Sequence, residues 1–306
     1  MMGQQKLSER EGLRQLIGVL NVIKRSRMIK LGLGILIALL VFSFIEPIYA
    51  DHVFGPHSNP TEVGAFQILL PPSRLHPLGT DNWGRDILCE LMVGTRISLE
   101  IGFISGAVSI LAAILLGLTA GYFGGKLDTA LRSFTDTFLV IPSWPILAAI
   151  SAIFLGKVNL VTMALILSIF TWPAAARSIR SITLSLRERP FVDLAKVTNL
   201  SSLEIIFLEL MPQIAPYIII NFDYMMMGAI FAEAGLRFMG LGPPNVPSLG
   251  LVASQIIGAG FFSEPDGPLV IGSIVALFVL IFMALNFINV GIEEESNPRL
   301  KGVTGE

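Results

Sequence analysis

Residues Leu184 to Pro212 read LSLRERPFVDLAKVTNLSSLEIIFLELMP, and the rest of the fold can be worked out from this stretch. It is amphipathic and too charged to cross a bilayer, although long apolar windows stand on both sides of it. Asn199 suits the left-handed position just past a helix end, because Asn tolerates positive φ better than other non-glycine residues. Ser201 followed by Glu204 has the spacing of a capping box, which satisfies orphan amides at the start of a helix. The expectation is a pair of helices joined by a tight turn, outside the membrane. Such a knob is either a plain connector or a rigid lever seated in a partner.

Working outward, windows of about 20 mainly apolar residues, the length that crosses about 30 Å of hydrocarbon, occur before and after the hairpin. They run Leu31 to Ala50, Ile97 to Ala120, Leu131 to Ile153, Leu160 to Ala176, Leu210 to Phe231 and Pro268 to Val290. Lys6, Arg10, Arg14, Lys24, Arg25, Arg27 and Lys30 precede the first window, which places the N-terminus inside. Six crossings return the C-terminus to the same side, and Arg177, Arg180, Arg187, Arg189 and Lys196 of the hairpin region also fall there. Charge bias and crossing number agree. The first window follows basic residues but is too long for a signal-peptide core, and Asp51-His52-Val53-Phe54 offers no small-residue cleavage site.

This gives an all-α polytopic membrane protein with a cytoplasmic hairpin at 184–212. The expected divisions are a cytoplasmic segment 1–30, a first transmembrane helix 31–50, an extracellular segment 51–96, a five-helix core 97–293 and a cytoplasmic tail 294–306. Lys6 to Lys24 fits an amphipathic helix at the inner interface or, equally, a frayed leader. Pro60, Pro71, Pro72 and Pro77 break helices between the first two spans, so a small extracellular cap is expected there.

The composition supports the membrane reading. Hydrophobic residues make up 53% and charged residues 14%, with mean hydropathy +0.72, well outside the soluble range. A net charge of -2 gives no general attraction to nucleic acid. The single cysteine, Cys89, excludes an intrachain disulfide and a cysteine-rich metal site.

The hairpin also resembles the EAA loop of ABC importer permeases, through Asp193, Leu194, Ala195, Asn199 and Met211-Pro212. Here Asp stands for the family's Glu, Leu for its first Ala and Asn for its turn Gly. Other stretches resemble the second permease subunit of the dipeptide/oligopeptide branch. His76-Pro77-Leu78-Gly79-Thr80-Asp81-Asn82-Trp83-Gly84-Arg85-Asp86 is similar to its HPLGTDxxGRD signature. Gly121-Tyr122-Phe123-Gly124-Gly125 with Asp128, Asp136 and Pro142-Ser143, then Ala232-Glu233-Ala234, Phe238 to Gly242 and Asn297 to Leu300, follow in the same order.

The resemblance implies a type I importer fold. Its partners would be a second homologous permease subunit, two ABC ATPase subunits and an extracytoplasmic solute-binding protein, all at the plasma membrane of a prokaryote. It implies peptide cargo, with nickel or oligosaccharides as alternatives within the class. Arg189, Asp193, Ala195, Asn199, Ser201, Glu204 and Pro212 would form the ATPase-coupling hairpin.

Charges inside spans are costly to insert and usually face a cavity or a partner. Glu233, Asp136 and Asp223 are therefore the candidate pathway residues; nothing local identifies a counter-ion for the two aspartates. Gly235 and the Gly240-Leu241-Gly242-Pro243-Pro244 turn suggest flexibility beside Glu233. The alternative is a hydrogen bond to a neighbouring span. His76, Asp81, Arg85 and Asp86 could contact the binding protein; alternatively, Asp81 bonds backbone amides two residues on and pairs with Arg85. The Met225-Met226-Met227 run reads as packing filler.

No GxxxxGK[ST] loop is present, so ATP and Mg would belong to partner ATPases, with no cofactor, metal or catalytic site in this chain. His52, His57 and His76 all lie between the first two spans, which argues against an intramembrane hydrolase. A secondary transporter working alone would need internal repeats and paired interior charges; the spans show no self-similar halves.

Overall fold

The computed structural model describes residues 26–154, 158–244 and 246–296. The segment before residue 26 and the Asn297 to Leu300 stretch lie outside it. Two compact units are distinguished and each is taken by itself: one from the two chain ends, up to Ala38 and from Leu280, the other Leu39–Val279.

Among the described residues, helices follow one another in the order α1 (Arg27–Phe44), α2 (Glu46–Phe54), α3 (Ile87–Phe123), α4 (Gly125–Val140) and α5 (Ser143–Ile153). Next come α6 (Leu160–Ser168), α7 (Pro173–Arg187), α8 (Pro190–Val197), α9 (Ser202–Phe238), α10 (Leu249–Gly258) and α11 (Gly267–Ser296). Helices α1, α3, α9 and α11 are each long and apolar enough to cross a membrane, and two bent pairs bring the number to six if each pair is one span.

Three expected spans are interrupted, each beside a proline. The first window breaks at Ile45 into α1 and α2, with Pro47 in the opening turn of α2. The third bends by 81° between α4 and α5 at Ile141-Pro142, and the fourth by 52° between α6 and α7, which starts on Pro173. Proline has no N–H to continue the helical ladder, and its ring clashes with the preceding turn. The second span begins earlier than expected, at Ile87, because Asp86 caps it: its Oδ1 accepts from the Cys89 amide at 2.9 Å.

α3 is the central element of the larger unit, about 55 Å long at 1.5 Å per residue. Small residues on it allow close approach. A Cβ on Gly121 would lie 2.6 Å from Thr183 Cβ and 2.8 Å from the Arg180 carbonyl, and one on Gly117 would lie 2.8 Å from the Ala176 carbonyl. The α3 and α7 backbones therefore touch, as small residues permit at membrane helix interfaces. Gly121→Val is expected to destabilise the protein by about 1–3 kcal/mol, read as a lower unfolding midpoint in detergent. Gly34→Ala, with no atom within 4 Å of its Cβ, should leave that midpoint unchanged or raise it.

In the unit of the chain ends, a Cβ on Gly32 would sit 2.5 Å from the Ala284 carbonyl, so those helices also meet backbone to backbone.

Candidate functional site: a capped hairpin, an open cleft and two buried charge networks

The hairpin consists of α8, a turn and the start of α9. Arg189 is extended and Pro190 opens α8, its missing N–H being one of the orphans of a first turn. The far end closes as a Schellman motif: the Leu200 amide donates to the Ala195 carbonyl at 3.1 Å, and the Asn199 amide to that of Lys196 at 3.1 Å. Asn199 takes φ 60°, the left-handed value expected of it. Ser201 then starts α9 with a reciprocal capping box: its amide donates to Glu204 Oε2 at 2.7 Å, and the Glu204 amide to Ser201 Oγ at 3.3 Å. Ser201→Ala should cost about 1 kcal/mol locally and speed hydrogen exchange at the Glu204 amide about fivefold.

The two faces of α8 differ. Val192 and Ala195 are buried in a cluster with Ile205, Ile206 and Leu210 of α9, which holds the hairpin to the body. Asp193, paired with Lys196 at 3.0 Å, points outward with Leu194 and Val197, which are 65% and 78% exposed. Leu203, Phe207 and Leu208 on α9 are exposed beside them. The second arm has no joint before the span: it runs through a π turn at Ile205–Leu210 into Met211–Phe238. Pro212 lies in the turn that follows and does not end the helix. An i→i+5 turn relaxes the ladder locally.

The three candidate acids have different environments. Asp136 is on the partly exposed face of α4 and, with Ser133, Thr137, Val140, Ile141 and Pro142, lines a shallow, wide-open cleft of about 650 Å³. It has counter-ions the sequence did not identify: Arg177 Nη2 donates to its Oδ1 at 2.5 Å, and Arg132 Nε lies 3.5 Å from Oδ2. Asp223 is buried on α9, and its Oδ2 has no hydrogen-bond partner among the described residues. Glu233, 1% exposed, accepts from Arg237 Nε and from Ser248 Oγ, each at 2.6 Å.

Arg237 also donates to the carbonyls of Pro243 (2.5 Å) and Val246 (3.0 Å), which binds the turn after α9 to its last helical turn. Glu233 is thus a fastening for that turn. Gly235 is not a flexible point: it lies inside the helix, where a Cβ would meet the Trp144 ring at 2.4 Å. Met225 and Met226 are buried as packing, and Cys89 is a buried free thiol.

The side chains that could either contact a binding protein or bond among themselves are buried too. His76, Asp81, Arg85 and Asp86 are all under 9% exposed. Asp81 Oδ1 accepts from the amides of Trp83 (2.9 Å) and Arg85 (2.8 Å), and its Oδ2 from Arg85 Nε (2.8 Å). Arg85 extends to Glu90 (2.8 Å) and to Gln255 of α10 (2.8 Å), while His76 Nδ1 lies 2.8 Å from Asp86 Oδ2. Phe54 and Phe66 pack on the His76 ring. This network orders residues 55–86 as a cap and ties it to α10. Val63, Ile68, Leu75 and Trp83 of the same segment are exposed. Sequence reasoning missed Glu90, Arg177 and Gln255, since none stands near its partner in a recognisable motif.

Four to six apolar spans, two of them bent, and a capped hairpin continuous with one of them make this a multi-pass membrane protein. The chain belongs to the family of binding-protein-dependent transport system inner membrane components, whose model matches residues 113–302. It is 31% identical over 254 residues to the oligopeptide transport system permease protein OppC of Lactococcus lactis, covering 82% of this chain and 85% of that one. OppC of Mycobacterium tuberculosis is 34% identical over 233 residues, 76% of this chain and 78% of its own. The dipeptide transport system permease protein DppC of Haemophilus influenzae is 30% identical over 285 residues, 91% and 92% of the two chains.

Proposed function

We infer that this chain is one of two permease subunits of an ATP-binding cassette importer, forming the pathway for peptides delivered by a solute-binding protein and driven by two separate ATPase subunits. The observation that carries this reading is the hairpin. It is capped at both ends, buried along its inner face, apolar and exposed along its outer face, and continuous with a membrane span. A rigid knob whose exposed apolar side chains are uncovered among the described residues fits a groove in a partner. Joined without a break to α9, it converts displacement at the groove into displacement of the span, the rigid-body form of alternating access.

The basic residues around the hairpin and before the first span support a cytoplasmic hairpin and cytoplasmic termini. The cap then faces the binding protein, and the cleft of Ser133, Asp136 and Thr137 is a section of pathway wall. Peptide cargo is supported by the names of the oligopeptide and dipeptide permeases to which the chain is similar. ATP and Mg are assigned to the partner ATPases, and no chemical step to this chain.

Affinity purification of the tagged protein from gently solubilised membranes tests the reading. Recovery of a second permease and P-loop ATPases, with ATP hydrolysis, is the expected result. A protein that purifies alone and moves solute after reconstitution would make it a secondary transporter.

A further inference from the structure

The bent span α4/α5 and the hairpin are separated in sequence, but ion pairs join α4 to the helix that precedes the hairpin. α7, which leads into the hairpin, faces α4 through two of these pairs. Arg180 makes a two-pronged bond to Asp128, with Nη2 on Oδ2 at 2.6 Å and Nε on Oδ1, and both side chains are less than one-fifth exposed. One turn earlier on α7, Arg177 holds Asp136. Beyond them, Arg187 Nη1 donates to the Tyr122 carbonyl at 3.2 Å, at the end of α3 where carbonyls lack helical partners and a cation complements the helix dipole. The end of α3, α4 from Asp128 to Asp136 and α7 from Arg177 to Arg187 thus form one braced corner, which leads into the hairpin.

Packing alone does not account for these charges. Partly exposed ion pairs add little stability. A two-pronged guanidinium–carboxylate pair does supply a fixed direction between two helices. The corner is not a ligand site either: the space lined by Gly117, Thr135, Ala176 and Arg180 is about 10 Å³, hardly room for one water.

We propose that Asp128–Arg180 and Asp136–Arg177 form a two-rung strut that makes α4, with the polar stripe Ser133, Asp136 and Thr137, move as one body with the hairpin. Asp128 and Arg180 are then positioning residues for transport. The proposal rests on the reading of the hairpin as a docking lever and deepens it, by naming the piece of pathway the lever moves.

The test uses the assembled transporter in proteoliposomes with a radiolabelled tetrapeptide and its binding protein, and reads ATP hydrolysed per peptide moved. Asp128→Arg and Arg180→Asp are each expected to raise that ratio about tenfold with hydrolysis retained. The double exchange should bring it back within about threefold of the parent. Arg180→Gln, which removes the charge without reversing it, should fall between and decides the matter if a reversal fails to assemble. Single variants with the parental ratio, or a loss in which hydrolysis and transport fall together, overturn the strut. The docking reading fails separately, if Val197→Asp hydrolyses and transports as the parent does.

Discussion

Arg237→Ala is expected to cost about 3–5 kcal/mol of stability, the loss that follows removal of one partner from a buried ion pair. The guanidinium lies against Glu233 Oε1 at 2.6 Å, and it also donates to the carbonyls of Pro243 and Val246. Its deletion leaves a carboxylate that is 1% exposed with Ser248 Oγ as its remaining recorded donor. Two carbonyls lose their donor at the same time, and buried acceptors without partners add to the cost. The measurement is the unfolding midpoint and the folded yield in detergent. The neutral double variant Glu233→Gln, Arg237→Met should recover part of the loss, because no unpaired charge remains. If Arg237→Ala unfolds with the parental midpoint, the pair is not a structural fastening, and Glu233 returns to consideration as a residue of the pathway.

The second large effect is expected at the hairpin, where the change is in function and not in stability. Leu194 and Val197 are 65% and 78% exposed, and Asp193 pairs only locally with Lys196 among the recorded contacts. Val197→Asp and Asp193→Arg should therefore leave membrane abundance and unfolding midpoint close to those of the parent. Each would place a charge, or reverse one, at the centre of the proposed docking face. An anchor at the core of an interface is worth about 2 kcal/mol or more, so transport should fall about 30-fold, with the ATPases recovered in lower yield on purification. If transport is unchanged in both, the outer face of α8 does not meet the ATPase. If abundance falls in step with transport, the defect is one of folding.

The hairpin was the most legible part of the molecule because its determinants are local. Asn199 after a helix end and Ser201 three residues before Glu204 each act on backbone groups within a few positions, and both work as their spacing implies. The break points of the bent spans were legible in principle. Pro142 and Pro173 stand where the ladders stop, yet hydropathy averaged over a window counts composition and overlooks one missing N–H. The charge partners were less accessible. Arg177 is 41 residues from Asp136, Arg180 is 52 from Asp128 and Gln255 is 170 from Arg85.

The sequence by itself determined the solvent, the all-helical class and the capped hairpin, because these follow from backbone hydrogen bonding in hydrocarbon and from side chains acting within one or two turns. Only the tertiary structure decided which charges are in use and which face a partner. His76, Asp81, Arg85 and Asp86 read as either a contact for a partner or a local network, and only their packing shows the network to be buried and extended to Glu90 and Gln255; Asp136 read as unaccompanied and is held by two arginines. The physical reason is the same in both cases. The cost of a charge depends on what is packed around it, and that is fixed by which helices meet, at distances along the chain where spacing carries no information.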